Sequence, residues 1–250
     1  MIVNLLLISL AIQFFLFIPA FKFKTDKLTD LSYSLTFVLL TLIAFLQSDM
    51  VYPKLLLLIM ISVWGIRLGV YLFIRINKTK KDDRFDEIRP DFVKFLSFWI
   101  LQGVSVFVIL LPTLFYFQTE TNFRHFSFWG FGIWFIGLLI EGLADYQKFS
   151  FKNDPRNKDR WIDIGLWKYS RHPNYLGEIL CWFGIYLYVY SSLPNTYKVV
   201  GLLSPLFITA LLLFVSGIPK LEEKADKKWG SDKRYQRYKK KTARLIPFVY

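Results

Sequence analysis

The sequence predicts an all-α, polytopic integral membrane protein of about seven transmembrane helices. Three observations predict it. Hydrophobic residues are 54% of the 250 and aromatics 19%, more apolar surface than a soluble domain of this size hides, because surface falls too slowly with mass. Mean hydropathy is +0.35 although the formal net charge is +13, so the charges are segregated from the apolar residues. The apolar residues also run in blocks near the roughly 20 residues that cross a bilayer, rather than alternating with polar ones.

Seven such blocks follow one another: Ile2–Phe21, Leu31–Gln47, Leu55–Ile76, Phe92–Phe117, Phe126–Ala144, Tyr175–Ser192 and Val199–Ile218. The sixth is short and its start is the least defined boundary. The first lacks a basic leading region and is followed by Phe21-Lys22-Phe23-Lys24 rather than small residues, so it reads as a span and not as a cleavable signal.

Loop charges give an expected orientation. Lys22, Lys24 and Lys27 follow the first block, and Lys78, Lys80, Lys81, Arg84 and Arg89 follow the third. Lys148, Lys152, Arg156, Lys158, Arg160, Lys168 and Arg171 follow the fifth, and the tail from Pro219 is more basic still. The intervening loops hold Lys54, Arg124 and Lys198, one each. The excess of cations puts the odd-numbered loops and the C-terminus in the cytoplasm. The positive charge therefore reads either as topology and contact with anionic lipid or, in part, as cations that hold an anionic cofactor, and no nucleic-acid partner is expected. A single cysteine, Cys181, excludes a disulfide framework. With two histidines, His125 and His172, it leaves too few ligands for a usual zinc cage, and no metal is expected.

Polar residues inside apolar blocks are costly and so point to function. Trp64, Arg67, Tyr71 and Arg75 share one helical face in the third block. Glu141, Asp145, Lys148 and Lys152 form a stripe that leaves the fifth block for the cytoplasm. The densest segment is Gly165-Leu-Trp167-Lys-Tyr-Ser-Arg171-His172-Pro173-Asn174-Tyr175-Leu-Gly-Glu178. Pro173 suits a first helical turn, which puts Asn174 and Glu178 on one face with Arg171 and His172 just before the helix. Free helix N–H groups beside an Arg and a His suit a phosphate. Glu178 accepts hydrogen bonds from an amide or a ribose.

Arg171-His-Pro-Asn-Tyr-Leu-Gly-Glu178 resembles the hallmark of a membrane reductase family that includes steroid 5-alpha-reductases, sterol C14-reductases and bacterial proteins with domain of unknown function 1295. Trp64-Gly-Ile-Arg67-Leu, Arg75, Asp83-Arg84-Phe85, Asp145-Tyr-Gln-Lys148, Phe151-Lys152, Asp154-Pro155 and the ending Tyr238 to Ile246-Pro247-Phe248 agree with it. The resemblance covers about Ala44 to Tyr250 and is most specific from Asp145 onward.

It implies one membrane domain over 1–250, in which 1–144 carries five spans and a pocket for a hydrophobic, steroid-like substrate. Residues 145–250 would then bind NADPH and carry the last two spans and the basic tail. The implied reaction is NADPH-dependent reduction of an enone carbon–carbon double bond, in a bacterial inner membrane or the endoplasmic reticulum, with no obligate protein partner. By family position, Lys148 and Lys152 contact the adenosine phosphates. Asp145, Trp167, Arg171, His172, Asn174 and Tyr175 line the nucleotide site, Glu178 holds the nicotinamide end, and Tyr238 closes the pocket from the tail.

The catalytic acid departs from the family. Trp64 stands where the steroid reductases have a tyrosine, and the second block has no glutamate. Tyr71, Tyr33 and Asp30 are the substitutes by reach and polarity. Two other readings stay open. Isoprenylcysteine carboxyl methyltransferases share Arg-His-Pro-x-Tyr-x-Gly and a later Glu-Glu, here Glu222-Glu223, which implies S-adenosylmethionine instead. A non-catalytic lipid- or sterol-binding protein of the same fold is the third.

Overall fold

The computed structural model describes residues 2–79, 85–121 and 125–249. Lys80, Lys81, Asp83, Arg84 and Arg124, which entered the charge and motif readings, lie outside the described residues. The chain is 78% helical and has no strand among the described residues. Helices satisfy their backbone groups internally, which a chain in lipid requires.

Among the described residues ten α-helices follow in order: α1 Ile2–Lys22, α2 Thr29–Leu46, α3 Tyr52–Thr79, α4 Phe92–Tyr116, α5 His125–Asn153, α6 Pro173–Tyr190, α7 Asn195–Gly201, α8 Leu203–Ala210, α9 Ile218–Trp229 and α10 Lys233–Lys241. Short 3₁₀ turns at Pro155–Asn157 and Gly165–Lys168 break the long α5–α6 connection, and a π-helical turn at Leu211–Val215 follows α8. Among the described residues six segments are long and apolar enough to cross a membrane: α1 to α5 and the run Asn195–Trp229. The block expected as the sixth span, Tyr175–Ser192, forms α6. Its 18 residues include Asn174, Glu178 and four tyrosines, and α6 is not among the six.

The chain divides into two compact units. The first comprises residues 1–126 and 189–204. Here α1, α2 and α4 share a buried polar network. The Gln13 carboxamide donates to Thr36 Oγ1 at 2.7 Å, and Gln102 donates to Gln13 Oε1 and to Ser32 Oγ, both at 2.8 Å. Both glutamines are almost fully buried, and in lipid each finds its partners on neighbouring helices. Phe17, Phe85, Phe95 and Trp99 pack as an aromatic cluster at one end of this group.

The second unit comprises residues 127–188 and 205–250. Its frame is the antiparallel pair α5 and α6, joined backbone to backbone. A Cβ on Gly130 would collide with Gly184 O and Tyr188, and one on Gly137 with Gly177 O and Cys181 N. A Cβ on Gly177 or Gly184 would in turn collide with the backbone of Glu141 or Trp134. Two glycines seven residues apart on each helix thus make a seam that no side chain separates. Ser127 Oγ adds a hydrogen bond to Tyr188 O at 2.8 Å.

Candidate cofactor site at the start of α6

The site is built where α5 loses its apolar character. Gly165 turns the chain with φ +57°, a left-handed conformation open to glycine. Any Cβ there would strike the Gln147 carboxamide, whose Oε1 accepts from Leu166 N at 2.9 Å. This seats the 3₁₀ turn Gly165–Lys168 against α5. Trp167 is buried, donates from Nε1 to Ala144 O at 3.1 Å, and packs with Ala144, Phe151 and Ile162. Lys148 Nζ stands over its ring, 4.5 Å from the centroid, a cation–π contact.

Pro173 opens α6 as expected of a first-turn proline, and the Asn174 carboxamide donates to Asp145 Oδ1 at 3.3 Å. The Tyr175 ring stacks on the His172 imidazole, with centroids 5.8 Å apart and planes at 9°. Glu178 is half-buried one turn later, and Lys152 is exposed one turn beyond Lys148 on α5.

The tail closes over these residues. Arg171 N–H donates to Ala243 O at 2.9 Å, and Ser170 pairs with Ala243 as an isolated bridge. Tyr238 on α10 donates its hydroxyl to Trp167 O at 2.8 Å. Trp161, Trp229, Tyr235 and Tyr238 pack ring against ring beneath α9 and α10, giving the tail a small core of its own. Burial pushes the Tyr238 hydroxyl well above its ordinary pKa and raises that of Tyr235 to about 12.

Glu222 on α9 is the hub. Its Oε2 takes Arg171 Nη1 at 2.7 Å and its Oε1 meets His172 Nε2 at 2.8 Å. Lys239 Nζ lies 3.4 Å from Oε2 and also pairs with Asp226 at 2.6 Å. Burial lowers the His172 pKa below its ordinary value, and the Glu222 carboxylate pulls the other way without overcoming it. The neutral ring then donates from Nε2–H to Glu222 and keeps a lone pair on Nδ1. Both His172 Nδ1 and Arg171 Nε are buried without a hydrogen-bond partner. An acceptor and a donor on adjacent residues are thus left unsatisfied, at a cost that a bound polar group would relieve.

Asp145, Lys148, Lys152, Trp167, Arg171, His172, Asn174, Tyr175, Glu178 and Tyr238 all belong to the second unit. The three catalytic candidates belong to the first. There Arg75 donates from Nη2 to Asp30 Oδ2 at 3.1 Å and lies 6.0 Å from the Tyr71 ring centroid, so one guanidinium joins two of the three. Tyr33 packs edge-on against Phe37, and Phe37 against the buried Trp64.

Sequence reasoning missed Glu222 as a partner of Arg171 and His172, along with Lys239 and the Trp161 cluster. The available signal was Glu222, Glu223 and Asp226, carboxylates clustered within one turn in a tail dominated by Lys and Arg.

Fold and site together define a class: all-α, multi-pass membrane proteins with a polar site at the start of α6 that the C-terminal tail contacts. Within that class the chain belongs to the family described as "Protein of unknown function (DUF1295)", whose model matches residues 16–242. No curated protein and no solved structure matches the chain.

Proposed function

We propose that the protein is an NADPH-dependent membrane reductase that saturates the carbon–carbon double bond of an enone in a lipidic, steroid-like substrate. In this reading α6 is the seventh span and the C-terminus is cytoplasmic, which places the basic α5–α6 connection and tail where NADPH is present. The observation that carries the reading is the unsatisfied pair Arg171 Nε and His172 Nδ1 beside the first turn of α6. A donor next to an acceptor suits the hydroxyls, amide and phosphates of a dinucleotide.

When bound, the reduced nicotinamide supplies a hydride to the β-carbon of the enone. The residues of the chain do the rest. Lys148 and Lys152 offer cations to the phosphates, and Lys152, exposed and one turn out, is the candidate for the 2′-phosphate. Asn174 and Glu178 face the polar end of the nucleotide. Arg171 and His172 are held for their ligand by Glu222, which fixes the guanidinium and the imidazole tautomer at once. In the first unit, Tyr71 is the proton donor to the substrate. Asp30 holds Arg75 against the Tyr71 ring, and Tyr33 extends the same polar edge.

One observation favours a second reading. Glu222, the first of the two glutamates shared with the methyltransferases, is the residue that engages Arg171 and His172. S-adenosylmethionine-dependent methyl transfer is therefore the alternative.

The deciding experiment is a thermal shift of the detergent-purified protein with NADPH, NADH and S-adenosylmethionine side by side. A ligand that binds only the folded protein raises its apparent stability by mass action. Stabilisation by NADPH is the expected result, followed by NADPH oxidation against a panel of enones. Stabilisation by S-adenosylmethionine alone overturns the reductase in favour of the methyltransferase. Failure of all three leaves the lipid-binding reading in its place.

A further inference from the structure

The tail carries a surface that the proposed chemistry does not use. On α10, Tyr235 is buried and Tyr238 half-buried, while Lys233, Arg237, Lys240 and Lys241 are exposed on the other side. Their spacing of four, seven and eight residues makes one helical face, and exposed Arg244 follows. None of these five has an ion-pair partner among the described residues, whereas Lys239, Arg234, Lys228 and Lys227 are all paired. Just beyond them stand Ile246, Phe248 and Val249, at 52%, 76% and 61% exposure. The Phe248 ring lies 6.3 Å from that of Tyr169, which is itself half-exposed. Soluble surfaces rarely combine a run of unpaired cations with adjoining bare apolar side chains.

The glycine seam fixes the depth of this surface. Gly137 abuts Gly177, and Asn174 reaches Asp145, so α6 begins at the level where the apolar part of α5 ends. Arg171, two residues before α6, bonds Ala243 directly. The tail is thereby held beside the start of α6, and the inference rests on the proposed reading of α6 as a span, which sets that point at the headgroup level. Tyr169 and Phe248 are exposed, paired aromatic rings beside this point, the side-chain type that favours a membrane interface.

We propose that the C-terminal segment docks on the bilayer surface. Ile246, Phe248 and Val249 seat among the headgroups beside Tyr169, while Lys233, Arg237, Lys240, Lys241 and Arg244 bind the phosphates of anionic lipids. Charge complementarity selects the occupant: five unpaired cations face outward and no unpaired acid stands among them. Each basic residue near an anionic surface strengthens binding about fivefold.

The test uses the full chain in lipid nanodiscs, whose two faces are both open to solvent. The native cysteine, Cys181, is fully buried, so Phe248→Cys gives one labelling site for an environment-sensitive dye, and exposed Ser231→Cys serves as the control. In discs of phosphatidylcholine with phosphatidylglycerol, a dye at 248 is expected to resist aqueous iodide and to be quenched by nitroxide-bearing lipid. The dye at 231 should behave oppositely. K240E/K241E/R244E should return the dye at 248 to iodide and reduce phosphatidylglycerol retention in native mass spectrometry by well over the roughly hundredfold that losing three cations costs at about fivefold each. The neutral K240Q/K241Q/R244Q variant should fall between. Equal iodide access at 248 and 231 overturns the proposal, as does lipid retention that ignores the charge variants.

Discussion

The Tyr238 hydroxyl donates to the Trp167 carbonyl at 2.8 Å, and this bond ties the tail helix α10 to the turn that precedes α6. Tyr238→Phe removes the donor and leaves a carbonyl unpaired, a loss of about 1 kcal/mol in tail docking. Hydrogen exchange should then rise across α9 and α10 and leave α5 unchanged. Uniform exchange in the variant and the parent would show that the aromatic cluster alone holds the tail.

The same tyrosines set an alkaline limit. Both Tyr238 and Tyr235 have raised pKa values because they are buried, Tyr235 to about 12, against an ordinary value of 10. A released tail ionises near 10 and a docked one only higher. Docking is therefore fully supported below pH 10 and weakens as the pH rises from there toward 12. Protease sensitivity of the tail, followed against pH, reads this directly. A tail equally resistant above pH 12 contradicts it.

His172 gives the acid side. Its folded pKa lies below the ordinary 6.5 because the ring is buried, so on acidification an unfolded chain takes up the proton first. The stabilisation is complete above about pH 6.5 and is lost as the pH falls from there through the lower folded value. His172→Gln should flatten the dependence of Tm between about pH 5 and pH 7. An unchanged slope assigns the titration to another group.

Lys152→Ala should weaken NADPH binding about tenfold while changing NADH little, because only the former has a 2′-phosphate to lose. Asn174→Ala should weaken both. Calorimetry with each nucleotide separates the cases, and equal losses for Lys152→Ala remove that residue from the 2′-phosphate.

Much of this was readable from the chain. Pro173 marked the start of α6, and the spacing of Asn174 and Glu178 placed them on one turn of it. Long apolar blocks announced the helices because lipid demands length and hydropathy before anything else. Block six is the instructive departure. In α6, which carries that block, Asn174, Glu178 and four tyrosines lower the hydropathy, so site residues such as Asn174, Tyr175 and Glu178 are among those that weaken the membrane signal. Glu222 was illegible as the partner of Arg171 and His172 because about fifty residues separate them, and nothing local encodes a contact made by a returning tail. Gly130, Gly137, Gly177 and Gly184 looked like ordinary helix glycines, since their common heptad spacing acquires meaning only when the two helices are laid together.

That contact between main chains has a consequence for how the protein tolerates change. A tight side-chain contact admits compensation, since a residue enlarged on one helix is matched by one reduced on the other. Here both partners are already at the minimum size, and no smaller residue exists to yield. Gly137→Val or Gly184→Val should therefore cost at least the 1–3 kcal/mol typical of overpacking, and a library of second substitutions on the facing helix should recover no stable variant. Recovery of one would mean that α5 and α6 possess another register. Without it, the pair is a single-solution lock, and variation in this half of the protein must accumulate around those four positions and not at them.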